Sequence, residues 1–463
     1  MAEESVRAFT KERASEALEK AVRFYREQVS AEGGYLWRYS ADLARREGEG
    51  KATDSMVWVQ FPGTPAVGNA LLRAFESTGG PLYLELSRDA AHALVRGQLR
   101  SGGWDYRIHF HATGRRGYNY RVEPPREKAN NTSTLDDDNT QSALRYLMRM
   151  DKTLAFKDER IHEAVQYGLE RLLEVQYPNG AFPQRYKTAP DPEAFPVKRA
   201  AYPESWPRAY AGHNYTGYYT FNDNTIADVI RTLFLAAETY GDARYREAAK
   251  KAGDFILLAQ MPEPQPAWAQ QYDAEMHPAW ARKFEPPAVT GGESQGVMRV
   301  LLDLFRKTGE QRYLEPIPRA LEYLRASRLP DGRLARFYEL RTNTPLYFTK
   351  DYQLTYSSDD MPTHYGFITS DTGLDTIEAE YQRLRALPAG ALESPEPPRA
   401  HTMNEDLARR AQAAASALDA RGAWVEDGRL KYHGPDDPTR RIIDSRTFID
   451  NVGLLSQFIA AAP

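Results

Sequence analysis

Cysteine is absent from all 463 residues. That excludes disulfides, thiolate nucleophiles and thiolate metal ligands. It leaves the compartment open, because a cysteine-free chain suits reducing and oxidising surroundings alike. No apolar run approaches the ~18 residues of a membrane span. The start, Met1-Ala-Glu-Glu-Ser5, leads into a charged helix and not into an apolar signal core. From that start the chain is expected to stay inside the cell or to have lost a leader. The formal net charge is -4, so the global basic footprint of a nucleic-acid binder is missing. An anionic partner would need a local cationic groove. The nine histidines form no zinc spacing, and neither a P-loop nor a dinucleotide fingerprint is present. What the chain does hold is ordinary globular composition, 41% hydrophobic and 27% charged, with 28 Tyr, 18 Phe and 7 Trp. Such aromatics build cores and also suit stacking on sugar rings. The length is enough for one large or two ordinary domains.

Periodicity predicts helices in pairs and few strands. Ile226, Val229, Ile230, Leu233 and Phe234 form one helical apolar stripe, and Val297, Val300, Leu301 and Leu304 another. A longer pattern recurs. Tyr83, Ile161 and Tyr245 each run fifteen residues to a glutamine, at Gln98, Gln176 and Gln260, and Tyr313 runs the same distance to Arg328. Turns follow, among them Gly102-Gly103-Trp104, Gly180-Ala181-Phe182 and Pro330-Asp331-Gly332, with weaker copies at Gly33-Gly34-Tyr35 and Gly422-Ala423-Trp424. Helical pairs joined by long loops predict an all-α fold, an α/α toroid whose loops gather into a cleft. The alternative is a helical bundle with generic glycine turns. Pro/Gly/charge-rich stretches at 112–130, 187–208 and 386–403 read as loops, the last as a late linker. The expected organisation is a toroid over 1–386 and a C-terminal helical segment, 387–463, packing on it.

Two acidic clusters precede predicted helices, Asp136-Asp137-Asp138 and Asn222-Asp223-Asn224. Asx residues cap helices, and acids favour the positive helix end. Capping uses one residue; three consecutive aspartates repel unless a cation or solvent screens them. Hard divalent ions take such oxygens. Opposite these acids stands Trp280-Ala281-Arg282-Lys283-Phe284-Glu285-Pro286-Pro287, a rigid aromatic loop that displays an arginine. Other cations in loop contexts are Arg185, Lys187, Arg333, Arg336, Arg341 and Lys350. Thr290-Gly-Gly-Glu293 reads as a capping box. Gly292-Glu-Ser294-Gln-Gly296 has the letters of a nucleophile elbow but no expected strand before it.

With these residues in hand, the chain resembles the family 10 polysaccharide lyases, pectate lyases built on an α/α toroid, over roughly residues 60–370. The resemblance rests on Thr134-Leu-Asp136-Asp137, Tyr177-Pro-Asn-Gly-Ala-Phe-Pro-Gln184, Thr220-Phe-Asn-Asp223-Asn224, the Trp280–Pro287 motif and Arg336-Phe-Tyr-Glu-Leu-Arg-Thr-Asn343, in that order. Phe61-Pro-Gly-Thr-Pro-Ala-Val-Gly68 looks like the region before the first family helix. The resemblance implies calcium-assisted β-elimination on pectate or a related uronan. It implies Asp136 and Asp223 near the ion, with Asp137 a further candidate, and Arg282 as the family's proposed base. It further points to Arg185, Asn222, Lys283, Arg336, Asn343 and His364 as substrate contacts. Because guanidinium is a poor base, electrostatic stabilisation of an enolate-like intermediate stays open for Arg282.

The chain departs from the family pattern in five places. It has Asp136-Asp137 for Asp-Asn, Gly180-Ala181-Phe182 for Gly-Gly-Trp, and Thr344 for an arginine. His364-Tyr365-Gly366 falls where an arginine precedes Gly-Tyr, and there is a long insertion near Tyr202–Asn214. These departures bear on the choice of uronan. Two other classes remain as alternatives. One is a toroid glycoside hydrolase, with Asp223 and Glu204 or Glu293 as its carboxylate pair. The other is a non-catalytic uronan-binding relative. The expected partner is an acidic polysaccharide, with no nucleic acid and no membrane span. The chain is expected to be a monomer, placed by its substrate outside the cell or in the periplasm.

Overall fold

The computed structural model describes residues 9–212, 214–369, 373–388 and 402–462. Helices form where the 3.6-residue stripes predict them. Helix Thr225–Tyr240 buries Ile226, Val229, Ile230, Leu233 and Phe234. Helix Gly292–Thr308 buries Val297, Val300, Leu301 and Leu304. One device ends the first helix of three pairs. Gly79, Gly241 and Gly309 each adopt a left-handed conformation, with φ 73°, 71° and 72°. Each returns its backbone N–H to the carbonyl of Phe75, Ala237 or Phe305. The partner helices are Pro81–Gly97, Ala243–Ala259 and Ile317–Ala326. A further pair is Asn139–Thr153 and Glu159–Glu174.

The recurring glutamine has a physical explanation. Gln98 Nε2 donates to Gly102 O at 2.8 Å and Ala164 O at 2.9 Å. Gln176 Nε2 repeats this with Gly180 O at 3.0 Å and Ala248 O at 2.9 Å. Gln260 Nε2 does so with Pro266 O at 2.9 Å and Pro316 O at 3.0 Å. Each amide therefore ties the turn after its own helix to a carbonyl of a later helical element. A one-donor side chain cannot serve both acceptors. We expect Gln176→Ala to destabilise the fold by about 2 kcal/mol, the cost of losing both hydrogen bonds of this amide, read as a lowered thermal midpoint; an unchanged midpoint would show that water replaces the amide. The aromatic after the turn is anchored in the same repetitive way. Trp104, Trp268 and Trp424 donate Nε1 to Leu94, Ile256 and Ala414 carbonyls at 2.9, 2.9 and 2.8 Å.

The helical pairs are those of the α/α-toroid class expected from the repeat. Strands are more numerous than predicted, but each is two to four residues long. They were illegible because alternation needs a longer run to register. The chain divides into two compact units. The first comprises residues 1–134, 139–169 and 396–463, and the second 135–138 and 170–395. In the first unit, helix Ser445–Ala461 packs on Thr64–Thr78 and Lys11–Phe24. Its five-stranded antiparallel sheet joins Glu426–Asp427 and Arg441–Asp444 to Arg38–Ser40, Arg46–Gly48 and Gly50–Lys51. Of the expected linker 386–403, residues 389–401 lie outside the described residues. In the second unit, strands Ala288–Thr290, Phe337–Glu339, Pro345–Phe348 and Leu354–Thr355 form a four-stranded sheet. Its register pairs Thr290 with Phe337, and Gly291 N donates to Arg336 O at 3.0 Å. That sheet sets Arg336 beside the start of helix Gly292–Thr308.

Candidate active site

The two acidic clusters fold as copies of one turn. Asp137 has φ 50° and ψ 33°, and Asp223 has φ 46° and ψ 37°. The residues that follow, Asp138 and Asn224, both have φ 59°. Two consecutive left-handed residues are tolerated by Asp and Asn and by few others without strain. The runs of Asx therefore have a backbone cause as well as a chemical one. Asn224 in fact makes no side-chain capping bond to the helix it precedes.

The turns bring Asp136, Asp137 and Asp223 together, with one carboxylate oxygen of each within 4.8 Å of the others. The crowding is visible in the acidity of Asp223. Burial and then the Asp136 charge push its carboxyl up to about 6, and Arg282 and Arg336 offset this only in part. Asn222 is buried beside it and donates Nδ2 to Asp223 Oδ2 at 2.5 Å. Its Oδ1 is buried with no hydrogen-bond partner. Three converging carboxylates and an orphaned amide oxygen suit a hard, oxygen-loving dication. Calcium fits this donor set.

Arg282 faces the cluster from the Trp280 loop. Glu285, 1% exposed, accepts from Arg282 N at 3.1 Å, Nε at 2.8 Å and Nη2 at 2.5 Å. The Nε/Nη2 edge of the guanidinium is thereby consumed, and Nη1 remains. Burial alone would lower the guanidinium pKa, but the Glu285 hydrogen bonds and charge outweigh it and raise it. Glu285 in turn is held below the usual carboxylate range: its burial is overcome by Arg282. Tyr365 Oη donates to Glu285 Oε1 at 2.8 Å. Arg336 lies over the Tyr365 ring at 4.4 Å and pairs with Glu293 Oε1 at 2.7 Å. A cavity of about 250 Å³ is lined by Phe221, Asp223, Asn224, Glu293, Gly296 and Arg336 among others.

The other residues expected from sequence divide into groups. Arg185 acts electrostatically on Tyr215, as do Arg282, Glu285 and Asp136. Lys283 and His364 gather one residue further along the loop. Lys283 Nζ lies 3.5 Å from the centroid of Tyr352, and His364 Nε2 is 3.4 Å from Tyr352 Oη. Asn343 is engaged elsewhere, in a left-handed turn. Its Oδ1 accepts from Tyr323 Oη and Gln265 Nε2, and its Nδ2 donates to Ser327 Oγ. Arg333 and Lys350 pair with Asp331 and Asp360 at exposed positions.

Two sequence readings are corrected. No capping box forms at Thr290 and Glu293. Thr290 sits in a strand and donates its hydroxyl to Trp268 O at 3.0 Å, while Glu293 pairs with Arg336. A strand, Ala288–Thr290, does precede Ser294. Ser294 is nonetheless inside the helix, fully buried, with its Oγ bonded to Trp268 N and O, so it is no nucleophile elbow.

Sequence reasoning missed Glu285 and Tyr365 as site residues. Glu285 carried a signal, three residues after Arg282 within a proline-bounded turn. Tyr365 carried none, since its contact with Glu285 spans eighty residues of chain.

Residues 98–304 match the family model described as pectic acid lyase. No curated protein matches the chain. Among solved structures, the family 10 polysaccharide lyase from Cellvibrio cellulosa is similar at 21% identity and a TM-score of 0.45, over 70% of this chain and 98% of that one. A mutant of that lyase in complex with trigalacturonic acid is similar at 20% identity and a TM-score of 0.47, over 69% and 98%. Cellobiose 2-epimerase from Bacillus thermoamylovorans is similar at 11% identity and a TM-score of 0.45, over 97% and 98%.

Proposed function

We propose, from the pectic acid lyase match over residues 98–304, that this chain is a polysaccharide lyase that cleaves pectate or a related uronan by calcium-assisted β-elimination. The observation that carries the reading is the opposition of three carboxylates, Asp136, Asp137 and Asp223, to a guanidinium fixed by a buried glutamate. Calcium held by these aspartates would neutralise the uronate carboxylate and acidify the neighbouring ring proton.

Arg282 is the catalytic residue in this reading. Glu285 keeps it protonated, which favours stabilisation of the developing enolate charge; the C5 proton then passes to solvent hydroxide, the C4–C5 double bond forms as the C4–O bond breaks, and the leaving sugar oxygen takes a proton from water. Its Nη1 hydrogens are the donors left for that task. Arg336, clamped between Glu293 and the Tyr365 ring, supplies a second positive charge at the cluster, and Arg185 a third. Asn222 orients Asp223. Lys283 and His364 contact the polymer beyond the reacting sugar, while Asn343 holds its own turn. The partner is an acidic polysaccharide, and a polymer of that kind is met outside the cell or in the periplasm. Among the described residues, no helix is long and apolar enough to cross a membrane.

The test is ultraviolet absorbance of the unsaturated product from polygalacturonate, with calcium and then with chelator. A rise with calcium that stops on chelation is expected. New reducing ends without absorbance would replace the lyase by a hydrolase.

A further inference from the structure

The segment from Tyr202 to Tyr210 is strapped across the Arg282 loop. Trp280 Nε1 donates to Pro207 O at 2.8 Å, and the rings of Trp206 and Tyr210 lie 6.4 and 5.9 Å from that of Trp280. Arg341 Nη2 donates to Pro203 O at 3.2 Å and its guanidinium sits over Tyr202. These contacts account for why the strap is ordered. They do not account for Arg208.

Arg208 is a half-exposed side chain held at two points. Its Nη1 pairs with Glu339, whose carboxylate is 6% exposed, and its guanidinium stacks 4.1 Å from the ring centre of Trp206. Glu339 also accepts from Tyr356 Oη at 2.9 Å. Tyr356 is 55% exposed, one of the few large side chains left so open among the described residues. The result is a guanidinium whose Nη1 is committed to Glu339 and Tyr356 while, among the described residues, its Nε and Nη2 have no hydrogen-bond partner. That edge is the fork that matches a carboxylate with two parallel bonds. Arg282 shows the converse, its Nε/Nη2 edge filled by Glu285. Tyr356 is tied to the same cluster, its Oη accepting from Arg208 Nη1 at 3.4 Å and donating to Glu339, and its exposed ring is of a kind suited to a sugar face. Rotamer freedom has already been lost to Glu339 and Trp206, so a ligand would not have to order these groups.

We propose that Arg208, with Tyr356 beside it, is an accessory uronate subsite: the Nε/Nη2 fork takes the carboxylate of a sugar distant from the cleaved bond, and the tyrosine ring takes its face. This rests on the uronan reading of the Arg282 site. It concerns binding and not the chemical step.

The probe is hexagalacturonate, titrated calorimetrically with calcium into the full chain carrying Arg282→Ala so that the ligand survives. Adding Arg208→Ala should weaken binding about tenfold, as loss of a charge-assisted bidentate contact does. Arg208→Lys keeps the ion pair with Glu339, and so the strap, but lacks the fork; it should lose nearly as much. Tyr356→Ala should weaken binding by a smaller factor. Unchanged affinity in Arg208→Ala, or full affinity in Arg208→Lys, would overturn the subsite while leaving the lyase reading intact. If neither this parent nor the Arg282→Ala/Glu285→Gln protein, which lacks the stranded charge, binds hexagalacturonate, the uronan reading falls and the subsite with it.

Discussion

Arg282→Ala should lower turnover on polygalacturonate by about 10²–10³, the usual loss for one donor aimed at developing negative charge. It should also lower the thermal midpoint. Glu285 is 1% exposed and takes three hydrogen bonds from Arg282, so the truncation strands a buried carboxylate. Breaking such a pair costs about 2–3 kcal/mol where one partner is half in solvent. The two losses separate. Adding Glu285→Gln to Arg282→Ala removes the stranded charge and should restore most of the midpoint while activity stays absent. Thermal melts and absorbance assays on the two proteins read this directly. If the double variant recovered turnover, Arg282 would have a structural and not a catalytic part.

Asp223→Asn should move stability and function in opposite directions. The Asp223 carboxyl is raised from 3.8 to about 6, first by burial and then by the Asp136 charge. A raised carboxyl means that ionisation is harder in the folded protein than in the unfolded one. The penalty is absent below the unfolded value, grows between 3.8 and about 6, and is complete above it. In chelator at neutral pH, Asp223→Asn should therefore be more stable than the parent, by about 1 kcal/mol once screening by the solvent that reaches part of this side chain is allowed for. That gain should vanish below pH 4, where both proteins are neutral at this position. With calcium the order should reverse, because the variant forfeits a ligand and the stabilisation a bound ion gives the folded state. Melting curves across pH with and without calcium would show the crossing. A variant less stable than the parent in chelator would remove the case for crowded carboxylates. Turnover should fall in parallel with calcium affinity.

Much of this was legible in the chain. The helical stripes at 226–234 and 297–304 became helices, because burying one face of a 3.6-residue period is a local requirement. The glutamines at fixed distance marked real clamps, since each repeat must tie its turn to a neighbour. Aspartates and an arginine displayed by loops were visible as clusters. Their partners were less so. Thr290 and Glu293 have capping-box spacing, yet a strand pairing drew Thr290 to Trp268 and the placement of Arg336 drew Glu293 away.

The sequence by itself determined which segments become helices, where glycine ends them, and which turns carry the acids. These follow from periodicity, left-handed backbone and charge, all local to a few residues. The tertiary structure alone decided which acids meet, that Tyr365 closes over the Arg282–Glu285 pair, and that Arg208 keeps one edge open. Those outcomes depend on side chains eighty to more than a hundred residues apart being brought within hydrogen-bond reach, and no local preference encodes a distance of that kind.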